Sequence, residues 1–359
     1  MTVRVVHVAS GREWRGGQKQ VWLLARGLQE TGPIDQVVVT TGGSELDRRL
    51  RGSGVPVRPA RWRAALDPRA LLATVAEARR SPARTVLHAH DAHALVIAGL
   101  AARWTGARLV VTRRVDIHLR RHGFWTRADR VIAISAAVRE VLLSDGVADA
   151  RIRVIHDGIA IEEVRAAEPL GIRRRLGLPD GTAIAVNVAA LVEVKDQATL
   201  IDAAAQARSR HPELHWVIAG EGVLRPALER RIAALGLGDR VHLIGFEPEA
   251  IRLIADATLL VHSSRYEGLG TTILDAMALG VPVVATAAGG IPELLAGGNG
   301  ILVPVRNPRA LSEEVSRLLE DRSLRENCVA HAARELPRFG YRGMAEAVQS
   351  VYRSLIPGP

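Results

Sequence analysis

Ser263-Ser264-Arg265-Tyr266-Glu267-Gly268-Leu269-Gly270-Thr271-Thr272-Ile273-Leu274-Asp275-Ala276-Met277-Ala278-Leu279-Gly280 reads as one local device. An apolar strand over 258–262 runs into it, a loop with two glycines follows, and a helix over 272–279 stops at Gly280. The start of such a helix carries free backbone N–H groups and the positive end of the helix dipole, which together hold phosphate. Gly268 and Gly270 let the main chain come close to a ligand, and the amides at Gly270, Thr271 and Thr272 are expected to face it. Asp275 is expected on the first helical turn, at a distance and direction that suit a ribose diol beyond the phosphates. Glu267 precedes the glycines and is placed to accept hydrogen bonds from sugar hydroxyls. Two acids alone would read as a solvated helix start; the glycine loop between them favours a binding site.

The same alternation continues on both sides. Strands are expected at 183–188, 214–219, 241–244 and 282–285, and helices at 197–209, 224–235 and 308–320. Upstream, apolar runs at 3–9, 36–40, 85–89, 109–112 and 131–135 alternate with helical patterns at 18–31, 94–105 and 136–144. Strands alternating with helices predict parallel sheets covered on both faces. The 359 residues suit two such domains. The fold class expected is α/β, with two Rossmann-like domains facing across a cleft at the C-terminal edges of their sheets. The polar stretch 162–175 reads as the linker. It divides a domain over 1–165 from one over 166–340, with a C-terminal helix in 341–359 packing back on the first.

Charge is distributed unevenly. Residues 1–165 hold 27 Lys and Arg against 16 Asp and Glu, a net of +11, whereas 166–359 net −1. Such a field favours an anionic partner, such as a phosphorylated glycolipid or membrane headgroups, although an Arg-rich composition bias gives the same count. No apolar run reaches the ~20 residues of a membrane helix. The single cysteine, Cys328, forms no internal disulfide, and a reducing, cytoplasmic setting is expected.

Glu267 and Asp275 are separated by seven residues and followed by Ala276-Met277-Ala278 and Pro282-Val283-Val284. With Gly289-Gly290-Ile291-Pro292-Glu293, Ala219-Gly220-Glu221-Gly222, Leu243-Ile244-Gly245-Phe246 and Ala128-Asp129-Arg130-Val131-Ile132-Ala133-Ile134-Ser135, this resembles the family 4 retaining glycosyltransferases, whose fold is GT-B. The resemblance runs from about residue 3 to about 319 and is strongest in the second half. It implies that Asp275 holds the ribose, with a reach one methylene shorter than the more usual Glu, and that Glu267 contacts the donor sugar. Gly268, Leu269, Gly270, Thr271, Glu221 and Phe246 then belong to the donor side. Lys195 is expected to neutralise the diphosphate. The family usually adds an Arg five residues earlier; here that position is Ala190, and Arg265 is the candidate for the missing charge.

In the first half, Gly16 and Gly17 open the first helix, where the resemblance implies a turn facing the donor phosphates or the acceptor; Gln18 follows on the acceptor side. His88-Ala89-His90-Asp91-Ala92-His93 ends a strand. The histidines could suggest a metal, but no Cys or helical His pair accompanies them, so no metal is expected, and His90 and Asp91 are assigned to the acceptor side. Many family members place a His near the reacting carbon two residues after Thr112; here that residue is Arg114, which with Arg113 suits a phosphate or carboxylate on the acceptor. Arg120, Arg121 and Arg127 around Phe124 and Trp125 suit an anionic membrane surface or a solvated loop.

The activity implied is transfer of a sugar, with retention, from a nucleoside diphosphate sugar to an acceptor hydroxyl. Glu267, Lys195, Arg114 and His90 would be the catalytic residues, with no cofactor beyond the nucleotide sugar. The acceptor is expected to be anionic and lipid-linked, the setting cell-envelope synthesis at the cytoplasmic face of the inner membrane, with no nucleic acid bound. A non-hydrolysing sugar-nucleotide epimerase and a non-catalytic basic module, for nucleic acid or anionic lipid, are the alternatives.

Overall fold

The computed structural model describes residues 3–356 except 33, 63–65, 82–83 and 120–122. The chain forms two compact units, residues 1–158 with 339–359 and residues 159–338.

The first unit is built on seven parallel strands: β1 (Arg4–Ala9), β2 (Asp35–Thr41), β3 (Val57–Ala60), β4 (Thr85–Ala89), β5 (Arg108–Arg113), β6 (Arg130–Ala133) and β7 (Ile152–Val154). Their order is β3-β2-β1-β4-β5-β6-β7, so the strand order reverses between β1 and β4. Both are buried along their whole length, as central strands covered on two faces must be. The helices are α1 (Gly16–Glu30), α2 (Glu45–Gly52), α3 (Pro68–Ala78), α4 (Ala92–Thr105) and α5 (Ala136–Ser144). α1 buries Val21, Leu24, Ala25 and Leu28, the face expected from their spacing.

The second unit repeats the plan with six strands: β8 (Ile184–Val188), β9 (His215–Ala219), β10 (Val241–Gly245), β11 (Leu259–His262), β12 (Val283–Thr286) and β13 (Ile301–Val303). The order is β10-β9-β8-β11-β12-β13, reversing between β8 and β11. Around it lie α6 (Ile161–Arg165), α7 (Ile172–Arg175), α8 (Gln197–Ala207), α9 (Arg225–Ala234), α10 (Ala250–Ala255), α11 (Thr271–Ala278), α12 (Ile291–Leu295), α13 (Pro308–Glu320) and α14 (Arg322–Glu335). The core is aliphatic apart from Cys328 and Trp216, the latter in one cluster with Leu200, Ile218, Leu259 and Leu311.

The stretch 162–175, which reads as a linker, belongs to the second unit and holds two short helices. Val164 and Ile172 are buried, and Asp256 accepts from the Ile172 N–H at 3.0 Å, so the polar run is the outer face of packed structure. The chain returns to the first unit at Phe339, where α15 (Tyr341–Leu355) lies against α1. The Tyr341 hydroxyl donates to Glu30 at 2.7 Å, and Tyr352 is fully buried. No helix among the described residues is long and apolar enough to cross a membrane.

Candidate active site

In a parallel sheet, the loops that leave neighbouring strands at a reversal of strand order diverge and open a crevice. In the second unit these are the loops after β8 and β11. They are joined by backbone bonds from Arg265 N–H to Val194 O (2.8 Å) and by Ser263 Oγ donating to Lys195 O (3.0 Å). A single turn of 3-10 helix at 193–195 and the left-handed Asp196 (φ 48°) bring Lys195 round to Glu267. Lys195 Nζ donates to Glu267 Oε2. The same oxygen accepts from His262 Nε2 at 2.8 Å and from Ser264 Oγ at 3.2 Å. The two charged side chains are mostly buried, with 22% of Lys195 and 14% of Glu267 exposed. Burial alone would push the Glu267 carboxyl up. The Lys195 charge, together with the His262 hydrogen bond, outweighs it and holds the carboxyl far below the usual range, so Glu267 is ionised.

The glycine loop carries the chain from Glu267 into α11. Gly270 is left-handed (φ 94°), and a Cβ there would stand 3.2 Å from Ile273 Cδ1. No side chain caps α11, and Ile273 N–H bonds back to Gly270 O at 2.9 Å. Gly268, Leu269 and Gly270 are buried while Thr271 and Thr272 are half-buried, so amides near the helix start lie at a partly open edge. Asp275 departs from expectation. α11 begins at Thr271, which puts Asp275 fifth in the helix, beyond the first turn, and it is 5% exposed.

Ala219-Gly220-Glu221-Gly222 owes its glycines to close backbone packing. Cβ atoms at Gly220 and Gly222 would stand 1.9 Å from Ala189 O and 2.3 Å from Leu191 O. Glu221 is half-exposed and paired with Arg225 at 2.9 Å, and Phe246 is exposed. Arg265 does not supply the second cation. Its guanidinium donates to Glu193 O and pairs with the Glu193 carboxylate at 2.9 Å, turned back onto the 193–196 turn. Ala190 offers only its carbonyl, to Gln197 Nε2 at 3.0 Å.

In the first unit, the loops after β1 and β4 stand at the corresponding reversal. α1 starts at Gly16 with no side-chain cap, and nothing lies within 4 Å of a Cβ built on Gly17. Gln18 folds its amide against Gly11. Asp91 is committed to the fold. It accepts from Ser10 N (2.8 Å), Ser10 Oγ (2.6 Å) and Ala94 N (2.8 Å), capping α4. His90 is likewise drawn inside. Its Nε2 pairs with His7 Nδ1 at 3.0 Å, while His88 bridges Tyr352 Oη (2.5 Å) and Thr112 Oγ1 (2.7 Å). Burial pushes His7 down to about 4 and holds His88 and His90 well below the ordinary histidine range, so all three rings are neutral at neutral pH. Among the described residues this trio is the one group whose ligand atoms could converge on a metal, all lying within 4.8 Å of one another.

The two arginines after Thr112 also turn inward. Arg113 donates to Val115 O at 3.1 Å and to Ile117 O, and lies 5.2 Å over Trp125; burial lowers its affinity for its proton. Arg114 pairs with buried Asp157 at 3.3 Å and donates to His90 O at 3.3 Å. A guanidinium at a strand end must find acceptors, and here the protein supplies them. Trp125 is 7% exposed and Phe124 packs over Gly99, so these aromatics face the core and not a lipid surface. Arg120 and Arg121 lie outside the described residues. Sequence reasoning missed His262 and Ser264. Both lie within five residues of Glu267, and a histidine ending an apolar strand next to a candidate acid was the available signal.

Comparison with known proteins places this geometry. Residues 14–163 match Glycosyltransferase Family 4 and residues 171–335 match Glycosyl transferases group 1, together most of the chain. The chain is similar to an alpha-D-kanosaminyltransferase of Streptomyces kanamyceticus, 36% identical over 54% of this chain and 50% of that one. It is similar also to a D-inositol 3-phosphate glycosyltransferase of Streptomyces bingchenggensis, 32% identical over 64% of this chain and 54% of that one. The chain thus spans about half the length of these curated relatives. Among solved structures, Anabaena HepE in complex with UDP and glucose superposes with a TM-score of 0.85 at 22% identity, over 98% of this chain and 100% of that one. A glycosyltransferase of Rickettsia africae gives 0.85 at 18% identity, over the whole of both chains. With two parallel α/β units, matches in both halves and an acid-bearing glycine loop at the strand reversal of the second, the chain belongs to the family 4 glycosyltransferases and has the GT-B fold.

Proposed function

We propose that the protein transfers a sugar from a nucleoside diphosphate sugar to an acceptor hydroxyl with retention of anomeric configuration, and that the donor binds in the second unit. The observation that carries this reading is the ionised, nearly buried Glu267 held by Lys195 beside the uncapped start of α11. When the glycosidic bond to the nucleotide breaks, negative charge grows on the β-phosphate. Lys195 and the α11 amides are the groups here that stabilise it electrostatically. Glu267 orients the donor sugar, and Asp275 serves the ribose from the second turn of the helix. Because protein cations and amides do this work, catalysis is proposed to proceed without a divalent metal. The solved complexes of HepE with UDP, glucose and UDP-glucose support a nucleotide-sugar donor.

The acceptor is proposed to be anionic and lipid-linked, in cell-envelope synthesis at the cytoplasmic face of the inner membrane. The positive excess of residues 1–165 supports an anionic acceptor, as do relatives named for D-inositol 3-phosphate. The test is a thermal-shift screen of the full chain against UDP-, dTDP-, GDP- and ADP-sugars, followed by transfer assays with phosphorylated and neutral acceptors. Stabilisation by one nucleotide class and acceptor-dependent release of nucleoside diphosphate are expected. No stabilisation by any class refutes the donor site.

A further inference from the structure

We infer that His262 is a positioning residue of the donor site: it holds Glu267 so that Lys195 can be released from the carboxylate to the incoming diphosphate. The inference rests on the donor-site reading above and adds to it a division of labour among the groups around one oxygen.

The Lys195 ammonium, the group expected to meet the diphosphate, is already engaged by Glu267. Binding a diphosphate there must share or break this ion pair. A largely buried carboxylate that loses its cation with nothing in its place is strongly disfavoured. Two donors remain on the same Oε2, His262 Nε2 at 2.8 Å and Ser264 Oγ at 3.2 Å. A hydroxyl can rotate away, but the His262 ring is fixed. It is the last residue of β11, in register with Ala285 of β12, and is 2% exposed. Its chemistry also fixes one proton. Glu267 Oε2 is an acceptor, so Nε2 carries a hydrogen and donates it, while Nδ1 is buried with no hydrogen-bond partner. Lys195, by contrast, rides on a 3-10 turn with a flexible four-carbon stem. The rigid donor stays and the mobile cation moves.

The test measures binding of nucleoside diphosphates without sugar, so that sugar contacts of Glu267 do not enter. UDP, dTDP, GDP and ADP are titrated calorimetrically into the full chain, and the tightest is carried through His262→Leu, His262→Gln, Lys195→Met and the His262→Leu/Lys195→Met pair. His262→Leu is expected to weaken binding about tenfold, the worth of a hydrogen bond to a charged group. His262→Gln, whose amide can reach Oε2, is expected to stay within about threefold. In the Lys195→Met background His262→Leu is expected to add less than about twofold, because no cation is left to release. Undiminished affinity in His262→Leu overturns the inference, and so does a loss that persists in full without Lys195, the signature of general disruption. If His262→Leu does not fold, His262→Asn, too short to reach Oε2, takes its place. Imidazole ¹⁵N spectra of the protein alone give a readout independent of ligand, and a His262 with no proton on Nε2 would also overturn it. Failure of all four nucleotides to bind the unaltered chain refutes the donor site itself, a result distinct from any of these.

Discussion

Replacing Glu267 by alanine removes the acceptor on which Lys195, His262 and Ser264 converge. Lys195, 22% exposed, can swing towards water, and the Ser264 hydroxyl can turn to another acceptor. His262 can do neither: its ring is 2% exposed, and its N–H keeps only the Ser264 hydroxyl oxygen, 3.1 Å away, in place of a carboxylate. Losing a hydrogen bond to a charged group costs about 1.5–3 kcal/mol, and for a unit of this size each kcal/mol lowers Tm by about 2–4 °C. A fall of several degrees is therefore expected, short of unfolding. Glu267→Gln keeps an oxygen for His262 and is expected to lose about half as much or less. For activity the order differs. If the charge of Glu267 orients the donor, both variants lose about 10²–10³ in turnover, the usual loss when one preorganised electrostatic group is removed. The assay pairs differential scanning fluorimetry with release of nucleoside diphosphate from the donor found in the screen. Transfer at the unaltered rate by both variants refutes the placement of the site, whatever their Tm.

Lys195→Ala is expected to reduce turnover about as strongly as Glu267→Ala while leaving the fold intact, and circular dichroism with the same release assay checks both. Gly222→Ala drives a Cβ to within 2.3 Å of the Leu191 carbonyl oxygen and should destabilise by about 1–3 kcal/mol or prevent folding; a Tm equal to the unaltered chain's would refute the packing account. His7, whose value is lowered to about 4 by burial, binds a proton more readily unfolded than folded between pH 6.5 and 4. Stability should thus fall on acidification through that window by about 1.4 kcal/mol per pH unit for this one group, with His88 and His90 adding in the same direction; denaturant midpoints that stay flat from pH 7 to 5 would contradict it. EDTA is expected to leave transfer intact, and full loss restored by Mg²⁺ or Mn²⁺ would overturn the metal-free proposal.

The central strands were legible because a buried parallel strand is apolar along most of its length, as at Val5, Val6 and Val8 or Leu259, Leu260 and Val261. Of the sheet edges, only β10 was expected, at 241–244. β3 is Val57-Arg58-Pro59-Ala60 and β7 is Ile152-Arg153-Val154, and at an edge an arginine or proline is tolerated, which erases the pattern. α2 was missed because it buries only Leu46, Asp47 and Leu50 among its arginines. At the site, sequence order located Glu267, Lys195 and the glycine loop on the two strand ends that the topology makes neighbours. Side-chain commitments were invisible to it. Arg113, Arg114, Arg265 and Asp91 read as ligand-facing because charge at a strand end usually is, yet each meets acceptors or donors supplied by the protein itself, such as Asp157 for Arg114 and Ser10 for Asp91. Which partner a charged group finds is a property of tertiary packing, and spacing along the chain does not encode it.

The return of the chain to the first unit bears on biogenesis. α15 leaves the ribosome after the whole second unit, yet it covers α1, made before that unit, and delivers the Tyr352 hydroxyl to His88 in the heart of the first sheet. During synthesis residues 1–158 therefore wait, incompletely sealed, while the intervening 180 residues are made and can fold on their own. A nascent chain stalled before Phe339 would leave the face of α1 that α15 covers open to water, and cutting the chain there would unseal the first unit.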